Sequence, residues 1–109
     1  MKHKWKKGQI NALNESIAHW ERMRDDKDCK EKPSVVFCAC CEYDVRYADK
    51  DLCSACPVGI YTGQVDCYGT PYRNAVYEWK QRENGFKNIF NSAATKEIEF
   101  LKKVLAAGV

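Results

Sequence analysis

The chain has 109 residues, a formal net charge of +3 and a hydrophobic fraction of 45%, which is typical of one globular domain and excludes a disordered polar chain. No apolar run approaches the roughly 20 residues that a membrane-spanning helix needs, so we expect no membrane contact. The basic opening, MKHKWKKGQINALNES, lacks the apolar core and the cleavage site of a secretory signal. We therefore expect the cysteines to lie in a reducing compartment.

The positive charge is concentrated at the start of the chain. Four lysines in the first seven residues, Lys2, Lys4, Lys6 and Lys7, contribute +4. Residues 8–109 contain the other fourteen of the eighteen basic residues and all fifteen acidic residues, which gives them a net charge of −1. We expect residues 1–8 to form a basic flexible tail and residues 9–109 to form a single domain. The nearly neutral body lacks the field of a duplex-binding domain, although the tail, with Trp5 among its lysines, can touch phosphate or stack on a base.

The first half of the chain predicts one helix and one strand. Apolar residues recur at helical spacing from Gln9 to about Arg24, at Ile10, Leu13, Ile17 and Trp20. The charged stretch DDKDCKEKP, which contains Cys29, is typical of an exposed connector that ends at Pro33. The apolar run VVF, residues 35–37, then predicts a short strand that leads into the cysteines.

The second half predicts two further helices. Thr70 can cap the first of them, Pro71 suits its first position and Gly85 suits its end. Its expected buried stripe is Tyr72, Val76 and Trp79, with Ala75 beside them. The last helix is predicted from about Ile89 to Ala107, and its expected core positions are Phe90, Ala94, Ile98, Leu101 and Leu105.

Five of the seven cysteines fall within residues 38–57, and four of them form two Cys-x-x-Cys pairs, Cys38/Cys41 and Cys53/Cys56. Two such turns can close a tetrahedral thiolate site with sulfur about 2.3 Å from zinc. The eleven residues between Cys41 and Cys53 are enough to bring the pairs together. We therefore predict one Zn²⁺ per chain and a mainly α fold, with three helices around a cysteine-rich zinc-knuckle loop region and at most a short β-hairpin. On this view residues 9–109 are one zinc-stabilised helical domain.

Several alternatives to this ligand set stay open. Cys67 follows Cys56 after ten residues, in a segment with two glycines and a proline, and it is either a buried thiol near the site or a replacement for one member of a pair. Cys40 is expected to point away from the metal. An iron–sulfur cluster also suits thiolate ligands, and thiol–disulfide exchange is a third possibility, although no βαβ pattern surrounds the cysteines.

The run SIAHW, followed by Cys-x-x-Cys, CSACPV, TG, Cys67 and TPY, resembles small cysteine-rich proteins encoded by bacteriophages and prophages. The resemblance covers about residues 10–105. It implies metal binding by the matching cysteines, a phage or prophage origin and action inside a bacterial host, and it carries no catalytic residue. The lysine-rich tail, Cys29 and Cys40 are peculiar to this sequence.

No catalytic motif accompanies the cysteines. The two histidines are His3 and His19, and an all-thiolate site is closed to substrate, so we predict that the protein is not an enzyme. Our leading interpretation is a binding protein that modulates a host protein in the bacterial cytoplasm. Its contacts would come from Tyr43, Tyr47, Tyr61 and Tyr68, unless these rings pack over the core. The alternative is a nucleic-acid-binding zinc-finger protein that uses Arg46, Lys50 and the basic tail.

Overall fold

The computed structural model describes residues 4–25, 39–47, 55–63, 70–81 and 87–108. These residues contain five α-helices: α1 (Lys7–Asp25), α2 (Ala39–Tyr47), α3 (Pro57–Thr62), α4 (Tyr72–Gln81) and α5 (Lys87–Ala106). The predicted mainly α fold is confirmed, and the described part of the chain contains no strand. The predicted strand at residues 35–37, the Cys29 connector and the Gly85 helix end lie outside the described residues.

Helices α1 and α5 form an antiparallel pair that carries most of the core. The start of α1 meets the end of α5, where Trp5 contacts Val104, and the end of α1 reaches the middle of α5, where Arg24 donates a hydrogen bond to Thr95 at 3.2 Å. Both predicted apolar stripes face this interface, and both helices are confirmed. The buried side chains of the pair include Leu13, Ile17, Trp20, Met23, Phe90, Ala94, Ile98, Leu101 and Val104.

Helix α4 packs against α5 and covers one end of this pair. The predicted cap is present, because the Thr70 hydroxyl accepts a hydrogen bond from the backbone N–H of Tyr72 at 3.2 Å. Ala75 is fully buried, and Tyr72 packs edge-on against Trp20 with 6.0 Å between ring centroids. The predicted stripe residues Tyr72, Val76 and Trp79 pack against the core but are only partly buried.

The beginning of the chain differs from the predicted flexible tail. Helix α1 begins at Lys7, and Trp5 lies in the core with only 9% of its surface exposed. The Trp5 indole N–H donates a hydrogen bond to the carbonyl oxygen of Val104 at 2.7 Å. A large apolar ring with one polar atom is well stabilised at such a place, because burial removes the ring from water while the N–H keeps a partner. Residues 1–3 lie outside the described residues.

Two short helices, α2 and α3, occupy the region that the sequence predicted to be loop. On α2, positions 40, 43 and 44 face inward while Val45 and Arg46 are exposed, which is an amphipathic helical pattern. Helix α3 starts with Pro57 in its first turn, after an extended Cys56, and it stops at Gly63. Gly63 has φ of 72° and donates its N–H to Gly59 at 2.8 Å, so both ends carry standard helix signals. The prediction of three helices was therefore too low.

None of the helices in the described ranges is both long and apolar enough to span a lipid bilayer.

Candidate metal site at the two cysteine pairs

Each cysteine pair adjoins the beginning of a short helix. Helix α2 begins at Ala39, directly after Cys38, and position 41 lies in its first turn. Cys56 directly precedes α3, and its side chain is buried. Cys38, Cys53 and Cys67 lie outside the described residues. One member of each predicted pair is therefore placed by the fold, Cys41 by its backbone and Cys56 by its whole residue.

Asp44 joins the two segments that carry the cysteine pairs. Its carboxylate oxygen Oδ1 accepts hydrogen bonds from the backbone N–H groups of Ala55 and Cys56, at 2.8 and 3.1 Å. The side chain is 5% exposed, so both bonds are shielded from water. Positions 41 and 44 are one helical turn apart and lie on the same side of α2. Helix α2 is therefore held at Asp44 against the backbone of Cys56, the residue directly before α3.

Gln9 holds the same peptide from the other side. Its side-chain amide nitrogen donates a hydrogen bond to the carbonyl oxygen of Ala55 at 3.0 Å, while its side-chain oxygen accepts one from the backbone N–H of Lys6 at 2.8 Å. The backbone of Ala55 thus bonds to α1 through its oxygen and to α2 through its nitrogen. Because both Gln9 and Asp44 are buried, these bonds fix the backbone of Ala55 and Cys56 against two helices at once.

Cys40 lies in the core between α1 and α2. Its side chain is buried, and the hydroxyl of Ser16 donates a hydrogen bond to its sulfur at 3.4 Å. Successive helical positions differ by about 100°, so position 41 lies on a different side of α2 from Cys40. The Cys40 side chain therefore faces α1 and the core, on a different side of α2 from position 41.

The metal prediction depends largely on residues that the structure does not describe. Within the described ranges, no three or more His, Cys, Asp or Glu side chains form a group that could hold a metal ion. The predicted set needs Cys38 and Cys53, and its alternative needs Cys67, all of which lie outside those ranges. The zinc site stays a prediction.

The clear pKa shifts belong to Arg24 and Asp25, at the end of α1 opposite to Gln9. The hydrogen bond between Arg24 and Asp25, 2.7 Å from Nε to Oδ1, raises the pKa of the arginine and lowers that of the aspartate. Asp25 is exposed to solvent, so this pair contributes little to stability.

The predicted nucleic-acid residues are divided among different parts of the molecule. Lys4, Lys6 and Lys7 are exposed at the start of α1, whereas Trp5 between them is buried. Trp5 is therefore unsuited to stacking on a base, which corrects that part of the prediction. Arg46 is exposed on α2. Lys2 and Lys50 lie outside the described residues.

Sequence reasoning missed Asp44 and Gln9. Asp44 follows Cys41 by three positions, but an aspartate near a ligand is usually solvated, and only its burial reveals the two backbone bonds. The helical periodicity places Gln9 at the start of the first helix and gives it no role. A buried glutamine at a helix start satisfies backbone groups that would otherwise lack partners, and the sequence offers no local signal for that.

Comparisons with protein-family models, with curated proteins and with solved structures found no match.

Proposed function

We propose that this chain is a small zinc-stabilised binding protein that engages a host bacterial protein in the cytoplasm and performs no catalysis. The observation that supports the proposal best is the bridge made by Asp44. It holds α2, whose first turn contains position 41, against the backbone of Cys56. This contact between the two segments that carry the Cys-x-x-Cys pairs agrees with a shared ion.

The proposed ligands are Cys38, Cys41, Cys53 and Cys56, with Cys67 as the alternative. A bound Zn²⁺ would supply cross-links between four thiolates and with them a large share of the folding free energy. Four thiolates leave no open position for water or substrate, which is why the site suits structure better than catalysis. The burial of Cys56 agrees with such a role, because structural metal sites are shielded from solvent.

The short helices give a reason for a metal at this place. Helix α2 has nine residues and α3 has six, and isolated helices shorter than about 12 residues are marginal in water. The hydrogen bonds of Asp44 and Gln9 fix one point where these helices meet. A metal held by both cysteine pairs would fix a second point and complete the support of this region.

Exposed apolar side chains on the same two helices support a protein partner. Val45 on α2 is 75% exposed and Ile60 on α3 is 36% exposed. Of the four predicted tyrosines, Tyr43 packs against the core, and Tyr61 is partly exposed. The side chain of Tyr47 and all of Tyr68 lie outside the described part of the chain. Aromatic anchors such as Tyr61 carry most of the binding energy at protein interfaces, and the side chains around them exclude water.

A capture experiment with matched surface variants tests the proposal. Tagged wild-type protein, Val45→Glu, Ile60→Glu and, as a control, Ile89→Glu are expressed in bacteria, and bound proteins are compared by mass spectrometry. Ile89 is 50% exposed on α5, so its substitution adds the same charge on a different helix. A partner that is absent from the first two variants and retained by the control supports the proposal. Equal capture by all four proteins contradicts it.

Nucleic-acid binding, the alternative from the sequence, is favoured by a different observation. This is the cluster of lysines at one end of the molecule, and it leads to a separate proposal.

A further inference from the structure

The Trp5–Val104 hydrogen bond brings two groups of lysines to the same end of the molecule. Lys4, Lys6 and Lys7 flank Trp5 at the start of α1, while Lys102 and Lys103 immediately precede Val104 on α5. All five side chains are exposed. We call this group the lysine end. In the sequence, the excess positive charge lies in the first seven residues alone. The fold brings two further lysines, almost a hundred positions later in the chain, to the same end of the molecule.

The residues that the structure describes offset the charge of these lysines only in part. None of the five has a carboxylate oxygen within 4.0 Å among the residues that the structure describes. Glu99, one turn before Lys103, is the nearest exposed acidic position on α5, and it offsets one of the five charges. Lys7 also lies in the first turn of α1, where no acidic residue is present. A cation there is repelled by the helix dipole, so its placement does not serve the stability of the helix.

An exposed aromatic ring borders the lysine end. Tyr61 on α3 packs edge-on against Phe100, with 6.0 Å between ring centroids, and it remains 38% exposed. Phe100 precedes Lys103 by three positions, which places the two on neighbouring parts of the α5 surface. The Gln9–Ala55 hydrogen bond holds the segment that leads into α3 against the first turn of α1. The ring therefore lies beside the α5 lysines, and the helix that carries it begins next to the first turn of α1.

We propose that the lysine end binds single-stranded nucleic acid, with the lysines on phosphates and Tyr61 stacked on a base. Proteins that bind single strands without sequence preference combine a cationic surface with exposed aromatic rings in this way. A membrane surface fits less well, because an interfacial helix needs a broad apolar face, and the exposed apolar side chains described here, Ile60 and Tyr61, lie on a helix of six residues. This surface shares α3 with the proposed zinc site, but none of the side chains proposed to contact nucleic acid is a proposed metal ligand.

The test uses the full chain and a labelled oligothymidylate of about 20 nucleotides, longer than one typical binding site. Affinity is measured by fluorescence anisotropy over a series of salt concentrations. Removing one lysine–phosphate ion pair flattens the slope of log affinity against log salt by about 0.7 for a single strand. We expect the slope to change by about 1.4 for Lys102→Gln/Lys103→Gln, and by a similar amount for Lys4→Gln/Lys6→Gln. Tyr61→Ala should weaken binding about tenfold, while Tyr61→Phe should retain it.

Lys80→Gln is the matched control, because Lys80 is an exposed lysine on α4, and its substitution should leave the slope unchanged. The proposal is overturned if the wild-type protein does not bind at low salt, or if the control changes the slope as much per lysine as Lys102→Gln/Lys103→Gln does. It is also overturned if only the lysines at the start of the chain matter. Tighter, lysine-dependent binding of a polyglutamate peptide or of anionic phospholipid vesicles would assign the surface to another class of partner and would overturn it too.

Discussion

Trp5 and Gly108 pack directly against each other at the end of the α1–α5 pair. A Cβ atom added to Gly108 would lie 1.7 Å from Cδ1 of Trp5, a distance that no pair of non-bonded carbon atoms can adopt. Glycine at position 108 is therefore required by the ring, and the ring in turn is held by its hydrogen bond to Val104.

This overlap predicts a non-additive pair of substitutions. Gly108→Ala should lower the free energy of unfolding by about 1–3 kcal/mol, because the indole must move out of its site. In a Trp5→Ala background the same glycine substitution should cost almost nothing, since the obstructing ring is gone. Urea unfolding followed by circular dichroism gives the four free energies. Equal costs of Gly108→Ala in the two backgrounds would show that the ring and the glycine do not compete for space.

Trp5 stabilises the fold through its hydrogen bond to Val104 and through its buried apolar ring, and two substitutions separate these contributions. Trp5→Phe keeps most of the apolar surface but removes the donor to Val104, and we expect the free energy of unfolding to fall by about 1–2 kcal/mol. Trp5→Ala also removes the ring and should cost about 3–5 kcal/mol. A flexible tail would predict no change for either variant. Thermal and urea unfolding of the full chain distinguish the two expectations.

Asp44 provides a prediction about the cysteine region. Asp44→Ala leaves the buried N–H groups of Ala55 and Cys56 without their acceptor, so it should destabilise the protein by about 2 kcal/mol or more. Asp44→Asn keeps one carbonyl oxygen and should cost less. If zinc binds as proposed, Asp44→Ala should also weaken zinc affinity about 10- to 100-fold, measured by competition with a chromophoric chelator.

Glu97→Gln is the control for this experiment, because Glu97 is a buried carboxylate on α5 and not part of the Asp44 bridge. It should leave zinc affinity unchanged whatever its effect on stability. If Asp44→Ala and Glu97→Gln change zinc affinity equally, Asp44 has no special role in bringing the two cysteine pairs together.

The metal itself is tested by elemental analysis of the purified protein. We expect one zinc per chain, and iron with visible absorbance or the absence of any metal would contradict the proposed ligand set. Cys53→Ser should abolish cooperative thermal unfolding, because zinc can supply about 10 kcal/mol or more to the folding of a small domain. Cys29→Ser, in the predicted connector, should unfold like the wild-type protein. Identical melting of the two variants would rule out a structural role for the metal.

Local patterns in the sequence predict the three longer helices well. The stripe on α1 and the Thr70 cap of α4 are confirmed because each depends on residues a few positions apart. Helix α3 is also predictable in principle, since Pro57 and Gly63 mark its two ends. The cysteine spacing, interpreted as a pair of metal-binding turns, predicts loop there instead. The two interpretations are compatible, as Cys56 directly precedes the helix.

The hydrogen bonds that sequence reasoning missed join distant parts of the chain. Trp5 and Val104 are 99 positions apart, and Asp44 and Cys56 are 12 apart. Neither pair leaves a periodic signal, because each bond depends on which helices pack together. The composition of the first seven residues indicates a solvated tail. Only the fold shows that the Trp5 ring among the lysines is buried against α5.

The pairing of α1 with α5 also determines when the core can form during synthesis. Helix α1 begins at Lys7 and its main partner begins at Lys87, so a ribosome needs roughly ten seconds to make the chain between them. Throughout that time the growing polypeptide carries Leu13, Ile17 and Trp20 without the surface that buries them. A nascent chain stalled before α5 would therefore present these side chains to chaperones and proteases.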